Sequence, residues 1–197
     1  MGHRVVTIGR QYGSGGKEVG EKLAAKLGIP CYDWHLIQMA AERGGFDLER
    51  VTEMDEKAAS PWSYGGAGTA VDFFSYSGNM NDQLQRLQAD IIRELAAKED
   101  CVIVGRCADS VLKGECLSAF IYATDNARIK RLRNKYGLSE KEAVQRMKGI
   151  DKKRAAYYNY YSDKTWGEKE SYDIMLSSSD LGIDACVDIL AELYEKM

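Results

Sequence analysis

The stretch from Val5 to Leu27, VVTIGRQYGSGGKEVGEKLAAKL, constrains the fold more than any other part of the chain. Val5 to Gly9 is a short, β-branched apolar run and reads as a buried strand. It breaks at Arg10-Gln11-Tyr12-Gly13-Ser14-Gly15-Gly16-Lys17. From Glu18 onward Val19, Leu23 and Leu27 recur every four residues, a helical stripe that stops at Gly28 with Pro30 just beyond. Strand, glycine-rich turn ending in lysine, helix: this is the layout of a phosphate-binding loop. Glycines let backbone N–H groups crowd around a polyphosphate, the helix N-terminus adds partial positive charge, and the lysine bridges the terminal phosphates. Gly13, Ser14, Gly15, Gly16, Lys17 and Glu18 are therefore the candidate nucleotide-contacting residues.

Two positions depart from the G-x-x-x-x-G-K-[ST] pattern. Gln11 stands where the first glycine belongs, and Glu18 where a hydroxyl would hold Mg²⁺. A carboxylate suits a helix N-terminus. Beside phosphates it is repulsive unless it turns away or acts through the metal. A flexible turn that merely contains a lysine is the bland alternative. Three glycines and a serine, set between strand and helix, speak against it. A dinucleotide fingerprint does not fit either, because Glu18 occupies the place of the third glycine.

At 197 residues the chain fits a single domain, 1–197, with a core that needs no disulfides. Its 45% hydrophobic and 29% charged content is that of a soluble globular protein. A net charge of −3 argues against a nucleic-acid or membrane-surface partner. No apolar run is long enough to span a bilayer and no signal-peptide layout opens the chain, so a cytoplasmic setting is expected. The five cysteines show no C-x-x-C pair and read as small core residues in a reducing compartment. With only His3 and His35 there is no material for a histidine metal site or a Ser-His-Asp triad.

Further along, Ile29–Asp33 reads as a second strand and Trp34–Arg43 as a helix closed by Gly44-Gly45. Asp47–Lys57 is an acidic helical piece, and 59–81 a loop rich in glycine, serine and aromatic residues, either a substrate-covering flap or an irregular excursion. Leu84, Leu87, Ile91 and Leu95 mark a long amphipathic helix. Strands are predicted at Cys101–Gly105, Leu117–Tyr122 and Tyr172–Leu176, and helices at Asn126–Tyr136, from Ser139 through Met147, and at Ile183–Tyr194. Ser139-x-x-Glu142 is a capping box. Alternating strands and helices predict an α/β fold, helices packed on both sides of a mostly parallel sheet.

Phosphoryl transfer asks a protein for positioning and positive charge. Besides Lys17, the candidates are Arg106, just past a core strand, and Asp151-Lys152-Lys153-Arg154. Ligands of open α/β sheets gather at the carboxyl ends of strands, which favours Arg106 as a holder of an acceptor phosphate. The basic run Arg128–Lys135 has a weaker case, since an exposed basic helix face is commonplace. Tyr157, Tyr158, Tyr160, Tyr161 and Trp166 read as packing against a lid or a neighbouring subunit rather than as a base-stacking platform. Asp109 is a candidate for holding Mg²⁺ through water.

The phosphate loop, Asp33, Gly105-Arg106, the Arg128/Arg131 helix and Asp151–Arg154 together resemble the cytidylate kinase family, and most of all its divergent cytidylate kinase-like branch, with GSGG-[KR]-E near the start. The resemblance spans nearly the whole chain. It implies the three-layer α/β/α fold of P-loop nucleoside monophosphate kinases, ATP with Mg²⁺, an arginine-bearing lid at 137–170 and an acceptor-binding insertion at 34–81. It places Arg106 on the acceptor phosphate, Arg154 on the transferring phosphates and Asp33 in the acceptor site. Departures gather in that acceptor site: Cys107 follows Gly105-Arg106 where the family has aspartate, and Trp34-His35 and Met39 replace the serine and arginine of D-S-G-x-x-x-R.

The leading expectation is an ATP-dependent phosphotransferase acting on a nucleoside monophosphate, as a monomer or a homo-oligomer. The alternatives are a kinase of a non-nucleotide metabolite, and a nucleotide-binding regulatory protein whose catalysis has decayed.

Overall fold

The computed structural model describes residues 2–49, 51 and 78–197. Five parallel strands form one sheet in the order β2-β3-β1-β4-β5. They are β1 (Val5–Arg10), β2 (Cys31–Tyr32), β3 (Cys101–Val104), β4 (Leu117–Tyr122) and β5 (Ile174–Ser177). Strand β1 is central, pairing Val5–Ile8 with Cys101–Val104 on one side and Val6–Arg10 with Leu117–Ile121 on the other. Such registers bury both faces, which is why these strands read as continuous apolar runs.

The period-2 alternation of strand side chains divides the core between the two faces. Val6, Ile8, Val102, Val104, Ala119 and Ile121 face α1 (Gly16–Leu27) and α8 (Ile183–Tyr194), meeting Val19, Leu23, Val187 and Leu190. Val5, Cys101 and Ile103 face the other way, towards α2 (His35–Gly44), α3 (Gly78–Lys98) and α4 (Ala108–Leu112). There they meet Leu36, Ile37, Ile91, Ile92 and Ala108, all essentially without solvent contact. The predicted α/β architecture stands, with every described strand pair parallel.

Several boundaries move. Strand β2 is shorter than 29–33, and α1 opens at Gly16, two residues before the apolar stripe becomes visible. Residues 78–81 belong to the first turn of α3 rather than to a loop; the rest of the predicted flap, and the end of the 47–57 piece, lie outside the described residues. Strand β5 begins two residues later than predicted, and Asp173 just before it is tied to β4: its carboxylate accepts from both the Ser118 amide and hydroxyl, each at 2.8 Å. Beyond β4 run α5 (Asp125–Tyr136) and α6 (Glu140–Tyr161). Ser139 and Glu142 form the predicted capping box, and α6 then runs far past Met147, carrying Asp151–Arg154 and the tyrosines on one continuous helix. A short α7 (Ser178–Leu181) precedes α8. The cysteines are unpaired, four of them buried and Cys31 half-buried.

Candidate active site

The carboxyl end of β1 turns directly into the glycine-rich loop. Gln11, in place of the first glycine, extends the sheet instead: its N–H donates to the Ile121 carbonyl at 3.0 Å and its side-chain oxygen accepts from the Ala123 N–H at 3.1 Å. Ser14 is fully buried and closes the loop on itself, donating to the Gln11 carbonyl at 2.8 Å and accepting from the Gly16 N–H at 3.3 Å. Ser178 holds it from outside by donating to the Ser14 carbonyl at 2.5 Å. Gly15 caps α1 with φ +83°, and a Cβ there would stand 2.5 Å from the Ile183 side chain, so a larger residue would be strained and would displace Ile183. Left-handed glycines followed by a helix start are the kind of turn in which successive N–H groups line an anion-binding concavity. The loop therefore fits a nucleotide's phosphates.

Lys17 leaves the first turn of α1 and reaches Asp33, at the end of β2, with Nζ 3.0 Å from Oδ2. A guanidinium nitrogen of Arg10 lies 3.8 Å from Oδ1. Burial alone would raise the pKa of Asp33, yet Arg10, Lys17 and Arg106 together hold it below the ordinary carboxylate range. The same hydrogen bond raises the pKa of Lys17. The site at rest is thus an ionised carboxylate ringed by cations.

Arg106 is placed by strained backbone. Gly105, Arg106 and Cys107 have φ of +78°, +62° and +53° in succession. A left-handed conformation costs a side-chain-bearing residue about 1–2 kcal/mol, and such strain collects at functional sites. A Cβ on Gly105 would lie 1.9 Å from the Arg10 guanidinium, so the absence of a side chain is what lets Arg10 lie across this turn. Arg154, from α6, donates to the Arg10 carbonyl at 3.0 Å, with its guanidinium 5.5 Å from the Tyr12 ring centre. Burial, then the charge of Arg10, lowers its pKa to about 9, which still leaves it protonated at neutral pH. Lys17, Asp33, Arg106 and Arg154 are thus drawn to one end of the sheet, joined by Arg10.

The Arg128 side chain is only 4% exposed, so it is not part of an exposed basic face. It donates to the Tyr12 carbonyl at 2.8 Å and to the Asp151 carboxylate, whose other oxygen accepts from the Tyr12 N–H at 2.7 Å. Burial raises the pKa of Asp151 against the opposing pull of the Tyr12 amide and Arg128. Both backbone groups of a loop residue are therefore held by side chains from α5 and α6. The one hint in the sequence is that Leu132, four residues on, shares the buried side of α5. Lys152 is exposed, and burial lowers the pKa of the half-buried Lys153.

Glu18 is paired with Arg131 at 2.9 Å and with Lys22 at 3.5 Å, and the Arg131 guanidinium lies against Gly15 of the loop. Asp109 lies apart, accepting from the Tyr158 hydroxyl at 2.6 Å, with Lys164 at 3.8 Å. Burial raises its pKa. No three His, Cys, Asp or Glu side chains among the described residues are grouped to hold a metal ion. The tyrosines divide: Tyr160 is exposed, while Tyr158 joins Phe120, Tyr172 and Cys107 in a core cluster, rather than meeting a lid or a neighbouring subunit, with Trp166 at its edge. Tyr157 and Tyr161 donate to Gln85 and Asp82 of α3.

No curated protein matches the chain. Among solved structures, an uncharacterized protein from Eubacterium ventriosum is 28% identical, with a TM-score of 0.73 over 99% of this chain and 100% of its own. Shikimate kinase from Bacteroides thetaiotaomicron is 19% identical with a TM-score of 0.54, covering 98% of each chain. A gluconokinase from Sinorhizobium meliloti is 15% identical with a TM-score of 0.54, covering 98% of this chain and 94% of its own. The last two share the fold, that of P-loop kinases. The model of the cytidylate kinase-like family matches residues 5–180, nearly the full length, and the chain belongs to that family.

Proposed function

We propose that the protein transfers the terminal phosphoryl group of ATP, as its Mg²⁺ complex, to a small acceptor seated at the carboxyl ends of β2 and β3. The observation that carries this reading is the convergence of Lys17, Arg106 and Arg154 on the mouth of a closed glycine loop. In-line transfer needs little beyond such positioning and charge. Lys17 would hold the terminal phosphates, Arg154 the transferring group and Arg106 the acceptor. Mg²⁺ supplies charge neutralisation on the phosphates. Because Glu18 is engaged by Arg131 and Lys22, the ion would be held largely by phosphate oxygens and water. The acceptor would sit between the described part of 34–81 and the 137–170 segment, whose closure over it would exclude water.

Family membership favours a nucleoside monophosphate of the cytidylate type. A small metabolite is the second reading, favoured by Met39, which packs into the core where the family pattern has an arginine. ADP release with CMP, dCMP, UMP and small hydroxy acids, in wild type and Lys17→Ala, tests the proposal. Acceptor-stimulated release that the substitution abolishes is the expected result. Release unaffected by the substitution contradicts the role of the loop.

A further inference from the structure

We infer that Tyr12 is a positioning residue of the site: its ring holds the Arg154 guanidinium ready for the terminal phosphate of a nucleotide without neutralising it. The inference rests on the phosphotransferase reading and adds to it the group that orients the cation of α6.

Tyr12 stands at an x of the G-x-x-x-x-G-K-[ST] pattern, so the turn itself asks for no particular side chain there. The surrounding structure fixes this one at every part. Its carbonyl accepts from Arg128 and its N–H donates to Asp151, which clamps the backbone between α5 and α6. Its ring packs on Leu132, Ala143 and Met147, the apolar seam between the same two helices. Burial, then the neighbouring Tyr136 hydroxyl, raises the pKa of its own hydroxyl, so the side chain stays neutral. A ring held in this way is a rigid reference for whatever it touches.

It touches two guanidinium groups of α6. Arg154 lies 5.5 Å and Arg146 5.7 Å from its centre, and Arg146 also stands 4.4 Å from the centre of the Tyr136 ring. Both arginines are within reach of attraction to the π face of Tyr12. They leave the same side of α6 about two turns apart, so one ring sets the place of both.

The manner in which Arg154 is held decides what it can do. Its hydrogen bond goes to the Arg10 carbonyl at 3.0 Å, a neutral acceptor, and the Tyr12 ring beside it is neutral too. Arg128 is the contrast, its charge being met directly by the Asp151 carboxylate. A guanidinium gripped by a carboxylate must surrender that pair before it binds phosphate. One supported by a ring face and a carbonyl keeps its charge and its remaining donors. The charge of Arg10 pushes against Arg154, and attraction to the ring offsets that repulsion in the resting site.

Preference for a nucleotide with a third phosphate over one without it reads Arg154 directly and needs no acceptor. Titration calorimetry gives the affinities for MgADP and for the Mg²⁺ complex of a non-hydrolysable ATP analogue. The proteins compared are wild type, Tyr12→Phe, Tyr12→Leu, Arg154→Ala and the Tyr12→Leu/Arg154→Ala double variant. Wild type is expected to bind the triphosphate more tightly. Tyr12→Leu should lose about 5-fold or more of that preference with MgADP affinity kept, and Tyr12→Phe, which retains the ring, should keep it. In the Arg154→Ala background Tyr12→Leu should change nothing further.

Equal losses in Tyr12→Phe and Tyr12→Leu, an unchanged preference in Tyr12→Leu, or additive losses in the double variant overturn the assignment. So does a fall in MgADP affinity alongside, which would make Tyr12 a residue that merely shapes the loop. A wild type that binds neither nucleotide instead defeats the phosphotransferase reading, and Arg154→Ala with its preference intact defeats that reading's use of Arg154; this inference falls with either.

Discussion

Glu18 Oε2 lies 2.9 Å from a guanidinium nitrogen of Arg131, so the carboxylate that replaces a hydroxyl at the start of α1 is turned towards α5. This geometry resolves the conflict posed by an acidic residue beside a phosphate site: the negative charge is neutralised by Arg131 and Lys22.

Removing Arg131, whose guanidinium lies against Gly15 of the loop, should therefore hurt nucleotide binding. Arg131→Ala is expected to raise the apparent KM for MgATP several-fold, because Glu18 keeps only Lys22 and is freer to face the phosphates. Adding Glu18→Gln should restore much of the loss. Since both side chains are more than a third exposed, the effect on stability should stay below about 1 kcal/mol. Steady-state kinetics and urea unfolding of the two single variants and the double variant give the cycle; additive effects on KM would contradict the coupling.

The Arg128–Asp151 pair should behave differently, being buried and shared with the Tyr12 backbone. Arg128→Ala leaves Asp151 without its cation in a dry setting, and breaking a buried pair on one side costs about 3–5 kcal/mol. Urea unfolding should show that loss, well beyond the effect of Arg131→Ala. A change of under 1 kcal/mol would mean that the pair does not hold the loop to α5 and α6.

A pH-dependent contribution is expected at the far end of the sheet. Asp100 accepts from the Tyr194 hydroxyl at 2.5 Å and from the Arg4 N–H at 2.8 Å, and these bonds bring its pKa to about 2. A folded pKa below the unfolded value adds stability that is complete above about pH 4 and fades as pH falls towards 2. Solvent reaches this carboxylate, so the contribution is about 1 kcal/mol. Asp100→Asn should be less stable than wild type at pH 7, the gap closing across that acid range. A constant gap would remove the carboxylate's charge from the explanation.

The frame of the molecule was legible because its signals are local. Val5–Gly9, Cys101–Gly105 and Leu117–Tyr122 are uninterrupted apolar runs, and the Val19/Leu23/Leu27 stripe needs only helical periodicity. Lys17, Asp33, Arg106 and Arg154 could be named because they sit at strand ends or match a family pattern, and the fold brings them together. Arg128 is illegible for the opposite reason: its burial depends on Tyr12 and Asp151, 116 and 23 residues away. The left-handed turn at Arg106 and Cys107 was equally hidden, since nothing in a Gly-Arg-Cys triplet announces φ above zero at three successive residues. Gln11 looked like a defect, and only the position of Ala123 reveals its purpose.

The most direct test is ADP formation from MgATP with the acceptor panel by wild type and Lys17→Ala, with circular dichroism showing both to be folded. Turnover in the wild type and a loss of about 100-fold or more in the variant is the expected outcome, since Lys17 is the cation placed to bridge the terminal phosphates. Equal turnover in two folded proteins would contradict the assignment of residues 10–17 as a phosphate-binding loop.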